Sequence, residues 1–259
     1  MLTFIGIGLY DELDISLKGL KAIQDADYVF AEFYTSVLVG TTVEKLQDAY
    51  GISITVLSRE DVELHPDFLL YAKDNNIVFL TGGDSMVSTT HVDLRLRAKR
   101  MDIDTCVIHG SSISTAVCGL SGLQNYRFGK SATVPFPYTR REKRIVSKTP
   151  VDTIVQNTAN NLHTLIFLDI DREMGYMSVN EAASLLIEMD SSLASRLGVG
   201  IARAGSAKPL VHADTLEGLI AYDFGEPLHI LIIPADLHFI EAEALVEFAG
   251  AHPDILDGI

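Results

Sequence analysis

Apolar positions in this chain come in blocks. Runs rich in β-branched and aromatic residues cover 3–8, 28–33, 52–57, 77–81 and 106–109 in the first half. In the second half they cover 132–136, 164–170, 199–203 and 229–234. Several lack the two-residue alternation of a half-exposed strand, as expected for strands covered on both faces. Amphipathic stretches separate them. Over 15–26, Ile15, Leu17, Leu20, Ile23 and Ala26 recur at helical spacing, and a second helix is predicted over 87–100, past a Gly–Gly–Asp turn. Ser178 and Glu181 have the spacing of a capping box ahead of 182–189. Asp236 is placed to cap a helix whose Leu237, Ile240, Ala244, Leu245 and Phe248 share a face, with Gly250 ending it. Strand and helix alternate throughout, which predicts an α/β fold with largely parallel sheets.

The chain has 259 residues, enough for two domains, and 47% of them are hydrophobic. The junction is predicted near 110–125, giving an N-terminal α/β domain over 1–112 and a C-terminal one over 113–259. The stretch 135–149 is the least regular. It holds two prolines and the densest basic cluster, Arg140, Arg141, Lys143, Arg144 and Lys148. It reads as a solvated linker or as a mobile segment near a substrate entrance.

The net charge of −15 disfavours nucleic acid and anionic membranes as main partners. With no Trp and 8% aromatic residues, a base-stacking platform is not expected. Cys106 and Cys118 belong to no CxxC and read as reduced, partly buried residues of a cytoplasmic protein. The first residues carry no signal-peptide pattern, and no apolar run approaches the ~20 residues of a membrane span.

Three turns at strand ends carry candidate chemistry. Gly6–Ile7–Gly8 follows the first run, but Asp11 stands where a dinucleotide fingerprint needs its third glycine. Glu32, at the end of the second run, could imitate the ribose-binding acid of that fingerprint. Thr81–Gly82–Gly83–Asp84–Ser85 puts a carboxylate at the sheet edge, as a helix cap or a ligand acceptor, and is not a P-loop. Gly110–Ser111–Ser112–Ile113 precedes a helix whose first N–H groups could hold a carboxylate, and it lacks the GxSxG of a serine hydrolase. Leu168–Asp169, Ala202–Ser206 and 227–230 lie at strand ends of the second half. The eight histidines form no HExxH and no zinc spacing with cysteine, so no metal is expected. His109, His163 and His229 read first as satisfied structural residues. These features reach as far as an α/β enzyme with a cleft between two halves.

Longer segments carry a resemblance. ADYVFAEFYTSVLVGTT (26–42), VLSREDVE (56–63), TTHVDLRLRAK (89–99), FGKSATV (128–134), LHTLIFLDI (162–170), ARAGS (202–206), the HILI segment (223–232) and the closing 241–251 resemble the archaeal diphthine synthases. These belong to the class III, tetrapyrrole-methylase-like methyltransferases. The resemblance implies two unequal α/β domains with S-adenosylmethionine in the interdomain cleft, S-adenosylhomocysteine as product, no metal, and a homodimer. It implies successive methylation of the amino group of 3-amino-3-carboxypropyl-histidine on translation elongation factor 2, giving diphthine on the way to diphthamide. Carried over by motif, the cofactor contacts are Leu9, Asp84, Val87, Ser112, Ile113, Leu168, Ala204 and His229. The family usually reads TPGDP at 81–85 and APSI at 110–113, so both turns lack a proline here, and the added backbone freedom leaves them less rigid.

Methyl transfer from a sulfonium to an amine is an in-line displacement, so no protein nucleophile is required and no indispensable acid or base is expected. A corrin or porphyrin methyltransferase and a catalytically silent binding subunit of the same fold are the competing readings.

Overall fold

The computed structural model describes residues 1–87, 89–171 and 173–256. The chain divides into two compact units, Met1–Ile113 and Ser114–Ile259.

The first unit is built on strands β1 (Leu2–Gly6), β2 (Tyr28–Glu32), β3 (Ile54–Leu57), β4 (Ile77–Thr81) and β5 (Thr105–Ile108). Its helices are α1 (Leu17–Gln24), α2 (Val43–Tyr50), α3 (Arg59–Glu63), α4 (Phe68–Tyr71) and α5 (Thr89–Arg100). The sheet order is β3-β2-β4-β1-β5 and every pair is parallel. Alternate residues of β1, β2 and β4 enter two different cores. Phe4, Phe30 and Phe79 pack with Phe68, Leu94 and Ala98 on one face. Ile5, Val29, Ala31, Val78 and Leu80 pack with Ile23, Leu46 and Tyr50 on the other. Both faces are apolar, which is why these strands show no polar alternation in sequence. Ser16, Thr42 and Ser58 cap α1, α2 and α3 with side-chain oxygens, and Gly51 ends α2 in the left-handed conformation.

From the unit boundary the chain continues through α6 (Ile113–Ser121), β6 (Ala132–Val134), β7 (Tyr138–Arg140), β8 (Lys143–Ile145), α7 (Thr149–Ala159) and β9 (Thr164–Leu168). It goes on through β10 (Ile170–Asp171), β11 (Gly175–Tyr176), α8 (Val179–Met189), β12 (Leu197–Ala202), β13 (Leu210–Thr215), α9 (Leu216–Ala221), β14 (His229–Ile233) and α10 (Phe239–Ala249). The order of the second main sheet is β13-β12-β14-β9-β6. Its directions correct the parallel expectation. Only β6 and β9 run parallel among its paired strands; β14 lies antiparallel to both β9 and β12, and β13 antiparallel to β12. Continuous apolar runs report burial on both faces and say nothing about direction. Here the short link between β12 and β13 lets the chain turn straight back.

The basic stretch 135–149 is also more ordered than expected, for β7 and β8 form an antiparallel hairpin. Ser178 caps α8 through a capping box with Glu181, as the spacing predicts. The last helix is different. Its N-cap is His238, not Asp236, and Glu241 closes the box. The buried face of α10 holds Glu241, Ala242, Leu245 and Ala249, whereas Ile240 and Phe248 are exposed. A carboxylate belongs in that core because its partners are built in. Glu241 accepts from Gln124 N–H, His238 N–H and His163 Nε2, at 2.9, 2.9 and 3.0 Å, and pairs with Arg127. The free cysteines Cys106 and Cys118 are partly buried.

Candidate functional site

In the first unit the three strand-end turns form one platform. Gly8 and Gly83 exchange backbone hydrogen bonds, N to O, at 3.3 and 2.6 Å. A Cβ on Gly6 would lie 2.8 Å from the amide nitrogen of Gly110, and one on Gly110 would lie 2.5 Å from the carbonyl oxygens of Gly6 and Gly83. Glycine is therefore required at 6 and 110 by backbone packing against backbone. Gly83 has φ +67°, and the nearest heavy atom to a Cβ built there is Ser111 O, 4.0 Å away. Its open side offers space in which a ligand can approach the main chain.

Asp84 stands at the rim of this platform. Its Oδ1 accepts from Met86 N–H at 2.9 Å, and its Oδ2 accepts from His109 Nδ1 at 2.7 Å. Since α5 begins only at Thr89, Asp84 closes a turn instead of capping that helix. The pair with His109 joins the second turn to the third. Leu9 follows Gly8, and its N–H donates to Asp14 Oδ2 at 2.9 Å. Val87 is exposed, Ser112 is buried, and Ile113 opens α6. Five expected contacts thus gather at the carboxyl edge of one sheet, where open α/β sheets bind ligands.

Glu32 is not available to a ribose, which corrects its reading as a ligand acid. It is fully buried at the end of β2, where Oε2 accepts from Tyr34 and Thr35 N–H at 3.0 Å each and Oε1 bonds the Thr35 hydroxyl. Its remaining partner is His91, whose Nε2 lies 2.9 Å from Oε1. His91 Nδ1 donates to Ser85 O at 2.7 Å, one residue past Asp84. Burial pushes the Glu32 carboxyl up, but hydrogen bonds from His91 and Thr35 outweigh it and hold it below its ordinary value. Arg59 lies over the Tyr34 ring, 5.0 Å from its centroid. The segments 26–42, 56–63 and 89–99, separate in sequence, are thereby tied together behind the platform. His91 was missed by sequence reasoning. Its signal was the helical spacing of His91, Leu94 and Ala98, all buried.

In the second unit the remaining candidates lie at strand ends. Leu168 closes β9 opposite Val134, and Ala202 faces His229 across β12 and β14. Arg203 has φ 52°, and its guanidinium donates to the carbonyls of Phe224, at 2.9 Å, and Glu226. This holds the turn carrying Ala204. Both ring nitrogens of His229 are engaged. Nδ1 accepts from Val179 N–H at 3.3 Å and Nε2 donates to Glu226 O at 3.1 Å. Burial lowers its pKa and favours the neutral ring. His229 thus satisfies the structural reading, with its ring also packed against Phe224.

S-adenosylmethionine brings two hydroxyls, a carboxylate, an amine, a sulfonium and a flat base with a hydrogen-bonding edge. Three observations in the first unit fit it. The side of Gly83 is open, Asp84 stands beside it, and the hydroxyls of Thr81 and Ser85 are buried without partners.

The comparisons agree with this architecture. Residues 1–220 match the family model of the tetrapyrrole (corrin/porphyrin) methylases. A diphthine synthase of Methanosarcina barkeri is 62% identical over 256 residues, covering 96% of each chain. One of Methanosarcina mazei is 58% identical, covering 100% of each. A crystal structure of a diphthine synthase superposes with a TM-score of 0.93 at 44% identity, over 100% of this chain and 99% of the other. With similarity running the whole length, in sequence and in three dimensions, the chain belongs to the diphthine synthase family of the tetrapyrrole methylases.

Proposed function

We propose that this chain transfers methyl groups from S-adenosylmethionine to the amino group of 3-amino-3-carboxypropyl-histidine on translation elongation factor 2. The product is diphthine, an intermediate on the way to diphthamide. The observation that carries this reading is the full-length identity to diphthine synthases. We further propose that the chain works in the cytoplasm as a homodimer. Among the described residues, no helix is long and apolar enough to cross a membrane.

Bound S-adenosylmethionine would supply an electrophilic methyl on a sulfonium. The residues of the chain bind and orient. In the first unit, Asp84 would take polar hydrogens of the cofactor, Leu9, Val87 and Ile113 would wall its apolar parts, and Ser112 with neighbouring N–H groups would take its acceptor atoms. In the second unit, Leu168 and Ala204 would pack against it, and His229 would contact it through its ring face or backbone. Alignment of amine, methyl and sulfur accounts for much of the acceleration. The amine must be neutral to attack, and burial away from water favours that form. No side chain of the chain is assigned as nucleophile.

The test is direct. The purified chain is mixed with labelled S-adenosylmethionine and elongation factor 2 bearing the modified histidine, and the histidine peptide is weighed by mass spectrometry. Stepwise gain of methyl groups on that histidine is expected. Cofactor binding without gain would reject the acceptor, and absence of both would reject the activity.

A further inference from the structure

The β7–β8 hairpin breaks several local rules at once. Its tip residues, Arg141 and Glu142, have φ 49° and 64°, where a two-residue hairpin turn favours Asn and Gly. Arg140 pairs directly with Lys143 across the strands, two like charges where opposite or apolar pairs stabilise. From Tyr138 to Arg144 every residue is exposed, so no apolar burial offsets these costs. The hairpin is nonetheless held in place. Arg144 grips Glu188 of α8 through both terminal guanidinium nitrogens, the second contact being 3.0 Å. Among the described residues, Arg140, Arg141 and Lys143 make no ion pair.

Stable proteins accept local conflicts mainly where function needs them. Here the conflict concentrates free cations on an anchored projection. Arg140, Arg141, Lys143, Arg144 and Lys148 stand against Glu142 alone over 138–148, in a chain of net charge −15. An acidic partner is repelled by the rest of this molecule and attracted at this arm, which sets orientation as well as affinity. We propose that the β7–β8 hairpin is a docking arm for a carboxylate-rich surface on the protein that this enzyme methylates. The inference rests on the methyltransferase reading above. A nucleic acid is the poorer fit, because a polyanion extending beyond the arm meets the acidic remainder of the chain.

The experiment compares wild type with R140E/R141E/K143E and with the charge-preserving R140K/R141K, using intact acceptor protein at low and physiological salt. The triple variant is expected to raise KM for the acceptor about tenfold or more at low salt. It should leave kcat and calorimetric affinity for S-adenosylmethionine unchanged. Wild-type KM should rise with salt, that of the triple variant should not, and R140K/R141K should behave as wild type. An unchanged KM in the triple variant, alongside wild-type turnover, would overturn the docking role alone. A raised KM in R140K/R141K as well would overturn the charge argument. Competition by a mixed-sequence RNA at physiological salt would reassign the arm to nucleic acid. No transfer by wild type would overturn the methyltransferase reading and this inference together.

Discussion

His91 Nε2 lies 2.9 Å from Oε1 of Glu32, and the two side chains are 1% and 0% exposed. The other ring nitrogen faces a carbonyl, which only accepts, so Nδ1 carries a hydrogen. Nε2 faces the Glu32 carboxyl group, so both ring nitrogens have buried partners. His91→Gln and Glu32→Gln should each cost about 1 to 3 kcal/mol, because each disrupts a buried hydrogen bond and leaves a polar group without its partner. The double variant should cost less than the sum of the two. Denaturant midpoints measure all three, and strict additivity would refute the pairing.

Asp84→Ala removes the acceptor beside the open flank of Gly83. It should weaken S-adenosylmethionine binding about tenfold to a hundredfold, the range of a lost hydrogen bond to a charged group. Titration calorimetry reads this directly, and wild-type affinity in the variant would exclude Asp84 from the cofactor's contacts.

Gly6→Ala and Gly110→Ala should destabilise the first unit by several kcal/mol, about the cost of severe overpacking, since the added methyl meets backbone atoms that cannot rotate away. Gly51→Ala offers a contrast. There the space is open and only φ +72° opposes the side chain, so a cost of about 1 kcal/mol is expected. Thermal unfolding of the three variants should preserve that order.

Acid should weaken the second unit in two stages. Burial lowers the pKa of His163, with the Glu241 contact opposing it only in part. Below its ordinary value of 6.5 the unfolded chain binds a proton that the folded chain refuses, so stability is complete above that pH and falls as pH drops toward the folded value. Burial raises the Glu241 carboxyl, but hydrogen bonds from Gln124, His238 and His163 outweigh it and depress the pKa overall. Its contribution is present above the ordinary carboxylate range and is lost as pH falls through the depressed value. His163→Gln should abolish the stage near neutrality and leave the acid one, as urea midpoints across pH would reveal.

All nine apolar runs legible in the sequence became strands, because burial writes itself into composition. What stayed hidden carries little apolar signal or depends on distant partners. The β7–β8 and β10–β11 hairpins are short and polar, and β13 is largely unburied at its edge of the sheet. The direction of β14 depends on which neighbours it inserts between. At the candidate site, Asp84 and the glycine turns were visible as strand-end motifs. The partnership of Asp84 with His109, of Glu32 with His91, and of Glu241 with Arg127 spans 25, 59 and 114 residues. Spacing rules reach a few residues and could not anticipate it. Charge misled in the same way at α10, where Glu241 faces inward and Phe248 outward.

The place of β14 bears on how the protein emerges from the ribosome. The first sheet has all five strands once residue 108 has been made, so it can close while synthesis continues. The second sheet cannot. Its central position is reserved for residues 229–233, and until they appear β9 and β12 each present an unpaired apolar edge. The nascent chain therefore passes through an interval in which one half is finished and the other is sticky. During that interval a chaperone, or a tether that delays release, should matter most to its yield.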